Sequence, residues 1–303
     1  MPLSASRRAI LAGCAALALW AFLAPLARLA QPLPPLLITA LGFAAGGGLG
    51  LAVVLARGRL RALRQGPAAW AHGVGGLAGF HALYFAALAL APPVEANLLN
   101  YLWPLLIVLL AAPVQGLRLG KQRLAGVALG AAGAAILLGG GARFPAEALA
   151  GFACALGAAF TWALYSVTAA RFARVPTEAV AGFCLASAAL AGLAHWALEP
   201  PAALAARHWL AVLLLGAGPM GAAFFLWDLG MKRGDPRLLG TLGYATPVAS
   251  TLLLAAMGEG RLSWQVLLAT ALVAGGGLLA ALAGRSEART SGRQADIGAP
   301  GEI

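Results

Sequence analysis

The chain has 303 residues, of which 61% are AVILMFWYC and 10% are DEKR, less than half the ~25% charged content of an ordinary soluble domain, so a soluble globule is excluded. Forty glycines, 8% aromatics and a mean hydropathy of +0.84 instead describe helices that cross a bilayer and pack closely. A net charge of +11 would point to nucleic acid in a soluble protein, but here the 21 Lys and Arg sit in short clusters between apolar runs, where they act as topology signals and imply no nucleic-acid partner.

Residues 4 to 11 imitate a twin-arginine signal and Leu11-Ala12-Gly13-Cys14 imitates a lipoprotein box. Only Ala9 to Gly13 separate Arg8 from Cys14, and the apolar run follows the cysteine, whereas a cleavable signal carries ~7 to 15 apolar residues before its cut. Arg7 and Arg8 therefore read as cytoplasmic anchors of an uncleaved first span. Cys14, Cys154 and Cys184 are isolated in apolar stretches and read as small hydrophobes, with no disulfide or metal framework.

A span needs about 20 apolar residues, and ten runs qualify: 9–29, 33–55, 68–91, 93–114, 122–141, 147–170, 177–198, 208–231, 236–257 and 264–284. They are continuous and rich in Ala, Leu and Gly, without the period-2 alternation of barrel strands. The second, third and fifth runs carry small-xxx-small pairs such as Gly42/Gly46 and Gly126/Gly130 that let backbones approach. Gly73-Val74-Gly75-Gly76 lies inside an apolar helix and has no strand before it, so it is not a dinucleotide loop. The third run also places His81 and Tyr84 at i, i+3. On the fourth, Glu95 opens the helix, and Asn97, Asn100, Tyr101 and Pro104 fall on one face. The sixth adds Trp162 and Tyr165. The eighth adds Phe224, Trp227, Asp228 and Met231, with Asp228 spaced to pair with Lys232. On the ninth, Thr241, Tyr244, Pro247 and Thr251 share a face. Unsatisfied amides and hydroxyls are costly in lipid, so these faces look inward, and mid-span Pro104 and Pro247 each free a backbone carbonyl and read as hinges.

With the N-terminus in the cytoplasm, seventeen Lys and Arg fall on inside segments and four, Arg28, Arg143, Arg207 and Arg261, on outside ones. This bias places both termini inside. Residues 285–303 read as a polar, disordered tail.

Sliding the chain by 143 superposes Gly73 on Gly216, Gly75 on Gly218, Tyr84 on Trp227, Pro93 on Pro236, Tyr101 on Tyr244, Pro104 on Pro247, Arg118 on Arg261 and Gly133 on Gly276. A shift of 142 puts Trp20 on Trp162. Two repeats of five spans, 1–143 and 144–284, must lie upside down relative to one another, an architecture of secondary transporters with a midplane site. A repeat kept only for helix packing is the plainer alternative. The expected fold is thus an all-α integral membrane protein of ten transmembrane helices in two inverted five-helix repeats. No paired carboxylates, His/Cys cluster or nucleophile set converges at membrane depth, so no enzyme, cofactor or metal site is expected.

Across residues ~9 to 284, this architecture, together with His81-Ala82-Leu83-Tyr84 and Asn97-Leu98-Leu99-Asn100-Tyr101-Leu102-Trp103-Pro104, resembles the EamA-type branch of the drug/metabolite transporter superfamily, in particular its aromatic amino acid exporters. The resemblance implies a bacterial inner-membrane exporter with a central cavity between its halves that moves aromatic and other neutral amino acids outward by alternating access. It also implies that His81, Tyr84, Tyr101, Trp103 and Tyr165, with Trp162, Trp227 and Tyr244, line that cavity. The residues themselves are compatible. Aromatic faces and the amides of Asn97 and Asn100, with few fixed charges, suit a zwitterion, and cation-π contacts would also suit quaternary or lipophilic cations. A phosphate ester would lack basic partners. A non-transporting scaffold or receptor is the reading from another class. The residues specify neither driving force nor oligomeric state.

Overall fold

Proline opens three of the helices. At N1 its missing N–H costs nothing and its fixed φ suits the helix, and Pro35, Pro67 and Pro93 stand there in α3 (Pro35–Ala56), α4 (Pro67–Leu90) and α5 (Pro93–Asn100). The remaining helices are α1 (Ala5–Ala21), α2 (Leu23–Leu29), α6 (Trp103–Gln115), α7 (Lys121–Gly139), α8 (Leu149–Thr168), α9 (Ala179–Leu198), α10 (Ala206–Ala217), α11 (Ala223–Arg233), α12 (Ala245–Ala256) and α13 (Trp264–Ile297). This computed structural model describes residues 5–115, 120–139, 146–172, 174–233, 239 and 242–297, and no strand occurs among them. Arg118, Arg143, Pro236, Arg237 and Thr241 lie outside the described residues, as do the side chains of Pro104, Asp228, Met231 and Lys232.

Among the described residues, six helices are long and apolar enough to cross a membrane: Arg7–Leu29, Pro35–Ala56, Pro67–Leu90, Leu149–Thr168, Ala179–Leu198 and Ala206–Trp227. Shorter apolar helices lie at Ala245–Ala256 and Trp264–Leu279. The run at 93–114, read from sequence as one span, is divided. α5 stops at Asn100, Tyr101 and Leu102 form a turn, and α6 begins at Trp103. Pro104 is therefore not a kink within a continuous helix but part of the first turn of a new one, where a residue without an N–H is tolerated. Pro247 stands likewise in the first turn of α12, just after the turn at Gly243-Tyr244. The last helix runs through Ile297, past the start of the tail expected to be disordered at 285. No proline interrupts it before Pro300, and each residue added to a formed helix gains a hydrogen bond.

Lengthwise packing joins α7 to α13, α3 to α9, α4 to α8 and α1 to α11. The small-residue spacing makes these contacts close. A Cβ on Gly46 would lie 2.6 Å from the carbonyl oxygen of Met220 and 2.8 Å from that of Gly216. Large apolar side chains such as Leu193, Trp196 and Leu198 of α9 are exposed on the outer surface, as expected where lipid is the solvent. All three cysteines are free; Cys184 is buried, Cys14 and Cys154 half-buried.

Two helix ends project charges across to other elements. Gly58 (φ 64°) and Gly258 (φ 78°) are the non-helical residues that close α3 and α12. After each, the next residue's N–H returns to a carbonyl of the last turn, Arg59 to Val54 at 2.9 Å and Glu259 to Leu254 at 3.0 Å. This is the glycine-dependent C-cap. It aims Arg59 at Glu178, 3.3 Å away, and Glu259 at Arg28, 2.8 Å away. Arg28 also donates to the Leu88 carbonyl (2.9 Å) and to Gln31 (2.7 Å). Glu199, at the end of α9, accepts from the N–H groups of Leu36 (2.9 Å) and Leu37 (3.3 Å), where an acid offsets the free donors and positive end of α3.

Gly46→Ala should lower stability by about 1–3 kcal/mol, because backbone and not a flexible side chain obstructs the added methyl. Gly48→Ala, which meets nothing within 4 Å, should leave the melting temperature in detergent close to wild type. Equal melting temperatures for the two variants would contradict this packing.

Candidate functional site

Two neighbouring regions, one polar and one aromatic, come together where the broken helices meet. In the polar one, Tyr84 of α4 donates its hydroxyl to Asn97 Oδ1 of α5, and Asn97 Nδ2 donates to Ser250 Oγ of α12 at 3.1 Å. Tyr101 lies beside the same serine. All four residues are buried, Asn97 and Ser250 completely. A buried amide is costly unless its two ends are paired, and at Asn97 the crossing of α5 and α12 pairs both.

The aromatic region is centred on Trp162 of α8. Its ring lies 5.1 Å from Phe80, 5.3 Å from Tyr165, 6.4 Å from Trp20, and 6.5 Å from both Trp103 and Phe224. Trp20 lies 5.3 Å from Trp227 and donates its indole N–H to the Pro219 carbonyl at 3.1 Å. That carbonyl belongs to a wide helical turn, Gly218–Ala222, in which the usual i→i+4 pairing is interrupted and oxygens are left for other donors. Trp20, Trp103, Trp162, Tyr165, Phe224 and Trp227 are only half-buried, so their rings border accessible space and do not fill a closed core. Five aromatic residues on five helices thus surround Trp162, and none of these rings carries a formal charge.

His81 stands at the edge of the cage. Its Nδ1 lies 2.9 Å from the Leu77 carbonyl, which assigns the ring proton to that nitrogen. Phe43, Phe80, Phe85 and Phe224 surround the ring at 4.7 to 6.5 Å. Tyr84 joins the two regions, its hydroxyl in the polar seam and its ring stacked on Phe80 at 5.6 Å.

Of the residues named from sequence, Tyr84, Asn97 and Tyr101 meet in the seam, and Trp103, Trp162, Tyr165 and Trp227 meet in the cage. Asn100 is buried beside the seam. Tyr244 goes elsewhere: its ring packs over Gly277 of α13. Trp20, Phe80, Ser250 and His72 were not singled out as site residues. The 142-residue register of Trp20 with Trp162 is a signal that could have found the first, and the position of Ser250 one turn after Pro247 could have found the third. His72 is stacked between Tyr165 (4.4 Å) and Phe172 (4.3 Å), and its Nε2 lies 3.0 Å from both the Tyr165 carbonyl and the Thr168 hydroxyl.

Residues 7–139 and 149–282 each match the EamA-like transporter family. The chain is 51% identical over 281 residues to the aromatic amino acid exporter YddG of Ancylobacter novellus, covering 91% of this chain and 98% of that one. It is 28% identical over 201 residues to the aromatic amino acid exporter YddG of Salmonella typhimurium, covering 63% and 68%. A crystal structure of a protein 51% identical in sequence superposes with a TM-score of 0.73 over 91% of this chain and 98% of that one.

Removing one member of the polar seam should expose the pairing rule. Asn97→Leu strands the buried Tyr84 hydroxyl and should lower stability by about 1–3 kcal/mol. Adding Tyr84→Phe to Asn97→Leu should recover part of that loss, a coupling that a double-mutant cycle of melting temperatures measures. Strictly additive losses would show that the two side chains do not depend on one another.

Proposed function

The chain belongs to the EamA-like transporter family, and on that premise we propose that it is an inner-membrane exporter of aromatic and other neutral amino acids, working by alternating access. The observation that carries this reading is the site itself. A half-buried aromatic cage adjoins a buried amide and hydroxyl seam, and no charged side chain is among the described residues that form either. Such a site matches a molecule with an apolar or aromatic body and a compact polar head, which is the chemistry named for the relatives.

The architecture proposed with it is ten spans in two inverted repeats, 1–143 and 144–284, with both termini in the cytoplasm. Each half matches the family separately. The packing supports the same division. α3 with α9 and α7 with α13 each join a segment to its counterpart in the other half, α5 with α12 joins parts of the corresponding fourth and ninth spans, and α1 with α11 and α8 with α4 are equivalent to each other. A two-fold axis lying in the membrane generates that pattern.

In this scheme the hairpins of the third and fourth spans and of the eighth and ninth rock about Pro104 and Pro247. At the outer end Arg28 holds both hairpins at once, through Leu88 on one and Glu259 on the other. At the inner end the stack of His72 between Tyr165 and Phe172 bridges α4 and the end of α8. Closure at one end and opening at the other is a switch between packed arrangements, not a continuous deformation. The aromatic cage also favours a second reading, export of quaternary or lipophilic cations, through cation-π contacts.

Purified protein in liposomes should show saturable counterflow of labelled phenylalanine. Trp162→Ala should reduce it at least about tenfold, the effect of a well-packed aromatic anchor worth over ~1.4 kcal/mol, while expression and melting temperature stay close to wild type. Flux that neither saturates nor shows counterflow would replace alternating access with a channel. Counterflow of quaternary cations but not of amino acids would favour the second reading.

A further inference from the structure

Three oxygens near the crossing of the two broken helices have no partner: Asn100 Oδ1, Thr246 Oγ1 and Thr251 Oγ1. Their residues are only 3%, 7% and 2% exposed. The neighbouring polar groups Tyr84, Asn97 and Ser250 are paired with one another, and away from the seam Ser187 Oγ of α9 is likewise buried without a partner. Leaving a buried acceptor unpaired costs roughly 1–3 kcal/mol, and a seam built only for packing would avoid that cost with Ala, Val or Leu at these positions.

Two contacts fix how the helices run. Asn97 meets Ser250, and Gly260, just beyond α12, packs on Val94, so α5 and α12 are antiparallel. Asn100 lies one turn beyond Asn97 and Thr246 one turn before Ser250, which brings both to the same level of the seam. An amide oxygen and a carbonyl can only accept, and a threonine hydroxyl can accept as well as donate. A guest carrying several N–H bonds would satisfy the amide oxygen and a threonine hydroxyl together.

We infer that Asn100 and Thr246 form the subsite for a primary ammonium group. This rests on the transport reading above and specifies which end of the substrate the seam holds. The ammonium donates to these oxygens, and the aromatic body extends past the Tyr84 ring, which stacks on Phe80, toward Trp162. An acylated nitrogen offers one donor instead of three, a trimethylated one offers none, and a deaminated analogue presents a carboxylate to a face of acceptors. The site thus selects an unsubstituted amine and rejects quaternary cations, although the cage alone would accept them.

The test measures ligand-dependent thermal stabilisation in detergent and competition against phenylalanine counterflow in liposomes. The probes are phenylalanine, phenethylamine, 3-phenylpropionate, N-acetylphenylalanine and N,N,N-trimethylphenylalanine. Phenylalanine and phenethylamine should bind, and the other three should bind at least about tenfold more weakly, the loss expected when hydrogen bonds to a charged group are forfeited. Asn100→Leu and Thr246→Val should erase this preference, and Thr246→Ser, which keeps the hydroxyl, should retain it. Equal binding of phenethylamine and 3-phenylpropionate, or an intact preference in both Asn100→Leu and Thr246→Val, would overturn the subsite. A wild type stabilised by phenethylamine but showing no counterflow would keep the subsite and refute the transport reading instead.

Discussion

A polar group removed from water must find a partner, and inside a bilayer the only partners are other parts of the protein. Most of this molecule follows from that constraint. Its helices satisfy their own backbones and turn large apolar side chains such as Leu193 and Trp196 outward. The amides and hydroxyls of Asn97, Asn100, Ser250, Thr246 and Thr251 lie at the crossing of α5 and α12, while hydroxyls such as those of Thr39 and Thr270 bond carbonyls of their own helices. Both helices are preceded or followed by a break, and both breaks stand beside a proline that could not have continued the ladder.

Charge is handled by the same rule at the ends of the helices. Arg28, Glu259, Arg59, Glu178 and Glu199 lie near loops, where partial hydration lowers the cost of an ion pair and also its strength. Their value is geometric. The left-handed glycines Gly58 and Gly258 turn the chain so that Arg59 and Glu259 point across the fold. Arg28 then touches elements belonging to both proposed hairpins, whereas Arg59 and Glu178 join α9 to the end of α3. A contact of the first kind resists relative motion of the hairpins, and one of the second kind does not.

Much of this was legible in the chain. Continuous apolar runs gave the helices, and the face Asn97-Asn100-Tyr101 with Tyr84 pointed to the seam, because polar side chains three or four apart on an apolar helix have to look inward together. The opposite side of the seam was harder to see. Ser250 is a small hydroxyl in a helix, and only its partner across the interface distinguishes it from a serine bonded to its own backbone. Symmetry misleads as well as guides. Tyr101 and Tyr244 are equivalent in the register, yet Tyr244 packs on Gly277, because the residues around the two positions differ. Trp20 shows the reverse case, since its match to Trp162 marked a place that turned out to lie inside the cage. The break at Tyr101-Leu102 could not be told from a kink, as proline spacing is the same for both.

In the proposed cycle the hairpins move against a fixed frame while Arg28 holds them closed at one end. A direct measurement links positions 28 and 259 with a short bifunctional thiol reagent in a protein whose three native cysteines have been replaced, then compares phenylalanine counterflow before and after linking and after its reversal. A second protein, linked between positions 59 and 178, serves as the control within the frame. The account predicts that the 28–259 link stops counterflow reversibly and that the 59–178 link leaves it intact. Undiminished counterflow with the 28–259 link in place would contradict it.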